Sequence, residues 1–245
     1  METILLDDSG LKKLYKQGYL DAEATIDPQT ALLVLDCHLL NLPHCRSLII
    51  DAKRGVVISE KETTRLVNQF VAKQSVGFLP ARAILCAQGK KKLPCLPYVW
   101  GETELMPLGG YTRHATNWLM LNHVHYHYFA TPSLISFIFK ADQAVRYLIP
   151  VNKKTYLTNL QTTAFIYAKL HQLIKELVTE FDLSGPTYDI SFPSSTTLVD
   201  PRATSFIFDA YLNLIVDLIY HTDGCSDQAK NSLIAQQLKQ RYDRI

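Results

Sequence analysis

The sequence predicts an α+β protein: a β-rich central domain with one long packed helix, followed by a C-terminal helical extension. Three observations carry that expectation. Short runs rich in β-branched and aromatic residues, bounded by turn residues, recur between residues 30 and 150. A helical stripe of apolar residues then runs from about 155 to 180, and two more helical patterns follow at 203–221 and 226–243. The implied division is an N-terminal arm or short helix over 1–29, the β-rich domain with its long helix over 30–183, and the extension over 184–245.

Taken in order, Ser9, Leu11, Leu14, Tyr15, Tyr19 and Leu20 outline a short helix or an ordered arm. Strands are expected at 31–35, 47–50, 56–58, 79–86 and 118–129. Between the second and third, residues 51–55 read as a hairpin loop in which Gly55 supplies a positive φ. A second hairpin joins 134–139 to 145–149. Ser59 with Glu62 three residues on has the form of a capping box opening a helix through Val71. In the long helix, Ile166, Leu170, Leu173 and Leu177 make one stripe and Tyr167, Ile174 and Val178 the next, a wide apolar face to lay on a sheet. Ser184-Gly185-Pro186 ends it. The 203–221 helix is apolar nearly all round, broken by Asp209, Asn213 and Asp217, so it needs cover on more than one side, within its own subunit or from an oligomer partner.

A chain of 245 residues, 47% hydrophobic and 20% charged, has enough apolar material for a core without staples. Five cysteines in no paired framework read as free thiols in a reducing compartment. Asp7 and Asp8 stand where a leader would carry Lys or Arg, and Asp209 and Asp217 interrupt the most apolar stretch. The expectation is a cytoplasmic protein with no membrane span.

The net charge of +2 hides an asymmetry. Residues 53–154 hold 14 Lys and Arg against 5 Asp and Glu, whereas 1–52 carry 4 against 8 and 155–245 carry 7 against 10. A concentrated basic stretch is the footprint of a phosphate-rich partner, although a solvated face has the same composition. Within it stand Lys73 after the candidate helix, Arg82 in an expected strand, Lys90, Lys91 and Lys92 in a loop between Gly89 and Pro94, and Arg113 in a Gly-rich turn. Tyr98, Trp100, Tyr111 and Trp118 are interleaved and can stack on bases, with Trp118 better placed for the core.

Catalytic signatures are missing. There is no GxSxG elbow, P-loop, GxGxxG turn or HExxH helix, and no nucleophile can be paired with a base, so neither an enzyme nor a cofactor is expected. His123, His125 and His127 alternate, which in a regular strand puts three imidazoles on one face. That is either a metal-binding set completed by Glu102 or Glu104, or a polar strand face with Val124, Tyr126 and Tyr128 turned to the core. Cys37-His38 and His44-Cys45 mirror each other, but neighbouring residues of an extended chain point oppositely, so a four-ligand zinc site is awkward there. No metal is expected.

In the middle of the chain stand Val71-Ala72-Lys73 followed by Gly77, the basic segment ending in Lys92 and Pro94, Glu104-Leu105-Met106-Pro107, Thr112-Arg113, Trp118 and His123-Val124-His125. In their order and spacing these residues resemble the ComK family of competence transcription factors. The match continues through Pro150-Val151-Asn152 and Thr155-Tyr156 into Thr163-Ala164-Phe165, covering about residues 45 to 180. Resemblance to this family implies a transcriptional activator of DNA-uptake genes that binds paired A/T-rich boxes of double-stranded DNA from the minor groove. It further implies a homo-oligomer and control by proteolysis through an adaptor of a Clp-type protease. Lys73, Arg82, Lys92 and Arg113 match basic positions of the family; Lys90 and Lys91 join them on charge alone. From about residue 185 the chain is longer and more apolar than the family's short basic tail. The alternatives are a metal-dependent enzyme built on the three histidines, or a regulator that acts by protein binding without DNA.

Overall fold

The computed structural model describes residues 1–74, 76–88, 96–109 and 115–180. From the N-terminus the chain runs β1 (Glu2–Leu5), α1 (Asp8–Gln17), β2 (Tyr19–Leu20), β3 (Ala31–Asp36), β4 (Ser47–Asp51), β5 (Gly55–Ser59), α2 (Thr63–Ala72) and α3 (Leu79–Ala87). It continues through β6 (Tyr98–Trp100), β7 (Thr103–Pro107), β8 (Trp118–Met120), β9 (Val124–Thr131), β10 (Leu134–Phe139), β11 (Val145–Pro150) and α4 (Lys153–Glu180). This is an α+β fold. The chain forms two compact units. The first, residues 1–81 with 92–167, contains both sheets; the described part of the second is the remainder of α3 and of α4.

A seven-stranded sheet has the order β2-β5-β4-β3-β8-β7-β6, and a four-stranded sheet the order β1-β11-β10-β9. The strands β3, β4 and β5 form where their apolar runs predict them, β4 and β5 make the expected hairpin with Gly55 at φ 74° in its turn, and β3 pairs antiparallel with β4 to complete a meander. They are apolar on both faces and buried on both. Leu33, Leu35, Leu48 and Ile50 meet Ile135, Phe137, Phe139 and Ile149 of the four-stranded sheet. On the opposite face Val34, Ile49 and Val57 meet Leu66, Val67 and Phe70 of α2. The first unit is therefore layered as sheet, sheet and helix.

The N-terminal segment joins these layers. Strand β1 pairs in parallel with β11, from Glu2 opposite Val145 to Leu5 opposite Leu148, and β2 pairs with β5. Asp7 caps α1 by accepting from the Gly10 N–H at 2.8 Å. Leu11 and Leu14 enter the core between the sheets. Gly10 rides so close to β1 that a Cβ there would lie 1.6 Å from the Leu5 carbonyl oxygen.

Four expectations are corrected. Residues 79–86 are helix rather than strand. Pro80 occupies the first turn, where no N–H is needed, and Ala81, Ala83 and Ala87 favour helix. Ser59 caps nothing: it ends β5, its hydroxyl accepts from the Lys61 N–H at 3.1 Å, and α2 begins at Thr63 after Glu62. The expected strand at 118–129 is two strands in different sheets, β8 and β9, separated by a 3₁₀ turn over Leu121–His123. The long helix forms, but its buried stripe is Tyr156, Thr163, Ile166 and Leu170, while Tyr167 and Ile174 are 40% and 38% exposed. Its first turns anchor it. Tyr156 packs edge-on to Phe129 with centroids 5.6 Å apart, and Asn159 donates to the Pro107 and Gly109 carbonyls at 2.9 and 3.1 Å.

The β4–β5 turn is tied by one carboxylate. The side chain of Asp51 is fully buried and accepts from Arg54 Nε and Nη2 at 2.9 and 2.7 Å, from the Lys53 and Arg54 N–H groups, and from Thr30 Oγ1 at 2.8 Å. Burial alone pushes its pKa up, but the bonds from Arg54, Thr30 and Lys53 outweigh that and hold it below the usual carboxylate range. Because the folded pKa is depressed, the contribution is full above the unfolded value and is lost as pH falls through the folded one. Asp51→Ala is expected to cost about 3 kcal/mol at neutral pH by orphaning Arg54, with the gap to wild type narrowing below about pH 4 in chemical denaturation. Gly10→Ala is expected to destabilise by about 3 kcal/mol or more, since the clash is with backbone rather than with a movable side chain.

Candidate nucleic-acid interface

Of the six basic residues singled out from sequence, Lys73 and Arg82 are described; Lys90, Lys91, Lys92 and Arg113 lie outside the described residues. Lys73 is the C-cap of α2, its N–H donating to the Phe70 carbonyl at 3.1 Å and its side chain in solvent. Arg82 is half-buried on α3, not on a strand. Lys73 belongs to the first unit and Arg82 to the second.

Three cations of the basic stretch are spent on the fold. Arg54 is held by Asp51, Lys61 donates to the Ala24 carbonyl at 3.2 Å, and Lys140 donates to the Asn122 carbonyl at 2.7 Å. Lys53, Arg65, Lys73, Arg82, Arg146, Lys153 and Lys154 make no ion pair among the described residues. Arg65 and Lys73 are the telling pair. The apolar residues Leu66, Val67, Phe70 and Val71 hold one side of α2 on the seven-stranded sheet, so helical geometry turns Arg65, Asn68 and Ala72 to solvent with Lys73 at the end. The helix contains no Asp or Glu. A solvent face of guanidinium, amide and ammonium groups is able to donate to phosphate oxygens and base edges.

Sequence reasoning passed over Arg65 and Arg146. The signal for Arg65 was available: the α2 period places it opposite Leu66 and Phe70. Arg146 carried none, because only strand pairing reveals its surroundings. It lies on the outer face of the four-stranded sheet, with its guanidinium 5.8 Å from the Tyr128 ring centroid. Tyr126 is 57% exposed there, 5.8 Å from Tyr128. Of the other aromatics, Tyr98 and Trp118 are buried in the core on the α2 side and Trp100 packs against it, so they are not stacking surfaces; Tyr111 lies outside the described residues.

The three histidines do not share a face. Val124 opposes Phe139 and Tyr126 opposes Ile138, so the register shifts at His125 and the alternation breaks. His123 lies in the preceding turn and its Nε2 donates to the Pro28 carbonyl at 2.8 Å. His125 is exposed. His127 turns inward, 6.1 Å from the Phe137 ring and 5.9 Å from Tyr156, and burial pushes its pKa below the ordinary value. Tyr126 is on the solvent side, which reverses the expectation that it faces the core. At the other candidate cluster the histidines turn from the cysteines: His38 Nδ1 meets Asp36 at 2.6 Å and His44 Nδ1 meets Glu60. No group of three or more His, Cys, Asp or Glu able to hold a metal occurs among the described residues. Among them, too, no helix is long and apolar enough to cross a membrane.

No family model, curated protein or solved structure matches the chain. The histidine geometry has a direct consequence. His123→Ala is expected to cost about 1 kcal/mol in urea denaturation by leaving the Pro28 carbonyl unpaired, whereas His125→Ala changes stability by less than about 0.5 kcal/mol.

Proposed function

We propose that this chain is a cytoplasmic, DNA-binding transcriptional activator of the ComK type, acting on A/T-rich boxes of double-stranded DNA as a homo-oligomer. The observation that carries the reading is the carboxylate-free solvent face of α2, where Arg65 and Lys73 stand without ion pairs among the described residues. It is supported by the 14 basic against 5 acidic residues in 53–154 and by the resemblance to the ComK family across about residues 45 to 180.

The physical roles follow from charge and position. Lys73, Lys90, Lys91 and Lys92 neutralise phosphates, releasing condensed counterions. Arg82 and Arg113 work nearer the groove, since a narrow A-tract minor groove concentrates negative potential that favours guanidinium groups. Arg65 adds a contact on the same helix as Lys73. Adaptor-dependent proteolysis belongs to the same proposal through the family resemblance, which ends before the 203–221 stretch.

Fluorescence-anisotropy titration against an A/T-box duplex and a G/C-rich control, each at two salt concentrations, tests it. The expected result is A/T-selective binding that weakens steeply with salt; absent or salt-insensitive binding overturns the proposal. Arg65→Ala and Lys73→Ala should each weaken binding several-fold on both duplexes and lower the salt slope by about one. Arg113→Ala should weaken A/T-box binding at least about tenfold.

A further inference from the structure

Cys37 follows β3 and Cys45 precedes β4, so the hairpin that serves both cores brings two thiols to its end. The Cys37 N–H donates to the Arg46 carbonyl at 2.9 Å, which sets its backbone opposite the neighbour of Cys45. Both side chains enter the same cluster between the sheets, 1% and 4% exposed. Each sulfur lies within weak hydrogen-bond reach of a carbonyl oxygen, Leu35 at 3.9 Å from Cys37 and Ser47 at 3.7 Å from Cys45. Their strongest mutual influence is on each other. Contact with Cys45, reinforced by burial, pushes the Cys37 thiol up, and the same contact draws the Cys45 thiol down despite its burial.

The intervening loop is the route in. Leu39 is 77% exposed, and Asn41 and His44 have φ of 50° and 51°, a left-handed conformation that costs energy outside glycine. A loop held this way opens more readily than the paired strands on either side of it.

We propose that Cys37 and Cys45 form a thiol modification site, a redox pair that a small peroxide converts to an intramolecular disulfide. Attack of one of the two thiolates on peroxide breaks the O–O bond, giving a sulfenic acid and, with one proton, a first water. Attack by the other sulfur then forms the S–S bond and expels the sulfenic oxygen as a second water, taking up that thiol's proton. Two thiols are oxidised and one peroxide is reduced. The site is independent of DNA binding.

The test uses the full-length protein and needs no variant. No Lys or Arg lies between Lys16 and Arg46, so trypsin leaves both thiols in the peptide 17–46. Protein is treated with hydrogen peroxide at a dose that oxidises the exposed Cys86, then denatured, alkylated with N-ethylmaleimide, digested and weighed. The expected peptide carries no label, is lighter than the dithiol by two hydrogens, and regains two labels after dithiothreitol. The oxidised protein should melt about 5 °C higher, as closure of a short loop predicts. A doubly labelled peptide, or one whose cysteines stop at separate sulfenic or sulfinic acids, overturns the proposal.

Discussion

Strands β3, β4 and β5 are apolar at successive positions, not at alternate ones, so neither face of their sheet can be left to water. An antiparallel sheet usually solves the problem by alternation, keeping one face polar. Here the solution is to cover both faces. Phe137, Phe139 and Ile149 of the four-stranded sheet close one side, and Leu66, Phe70 and Val71 of α2 close the other. The remaining elements serve that arrangement. Helix α1 and the first turns of α4 plug the space between the sheets with Leu11, Leu14 and Tyr156, and β1 completes the outer sheet by pairing with β11.

The layering decides which polar groups are available for function. Three cations of the basic stretch are consumed in holding loops, with Arg54 on Asp51 the clearest case. Net charge therefore overstates the cationic surface. What the core leaves outside is the far side of α2, with Arg65 and Lys73, and the outer face of the four-stranded sheet, with Arg146 and Tyr126. The proposed DNA contact on α2 thus rests on the same helix whose apolar side seals the central sheet. Replacing its polar residues leaves that seal intact.

The histidine and cysteine patterns show how far local spacing carries. Three histidines in alternation meet a register shift at His125, and the set disperses into a carbonyl-bound side chain, an exposed one and a core one. The mirrored Cys-His pairs meet the end of a hairpin. There the thiols turn together into the core while the histidines turn out to Asp36 and Glu60. The awkwardness anticipated for a four-ligand site is realised as a separation of the two residue types, and it is this separation that leaves both sulfurs in the core.

Sequence by itself determined the α+β class, strand β3, the β4–β5 hairpin with Gly55 in its turn, the β10–β11 hairpin and the span of α4, because each depends on composition and periodicity within one short window. The basic middle was equally legible, being a matter of counting. Tertiary structure alone decided the rest. Strand β1 exists because β11, far along the chain, offers it an edge, and β8 parts from β9 because the chain passes there from one sheet to the other. Residues 79–86 carry an apolar run that suits strand or helix, and sequence separation hides which neighbours will take it. The face that Arg146 occupies, the inward turn of His127 and the burial of Cys37 and Cys45 in one cluster are set by pairing register and by the ends of strands. A register shift of one residue reverses the direction of a side chain, and no pattern within the strand itself records it.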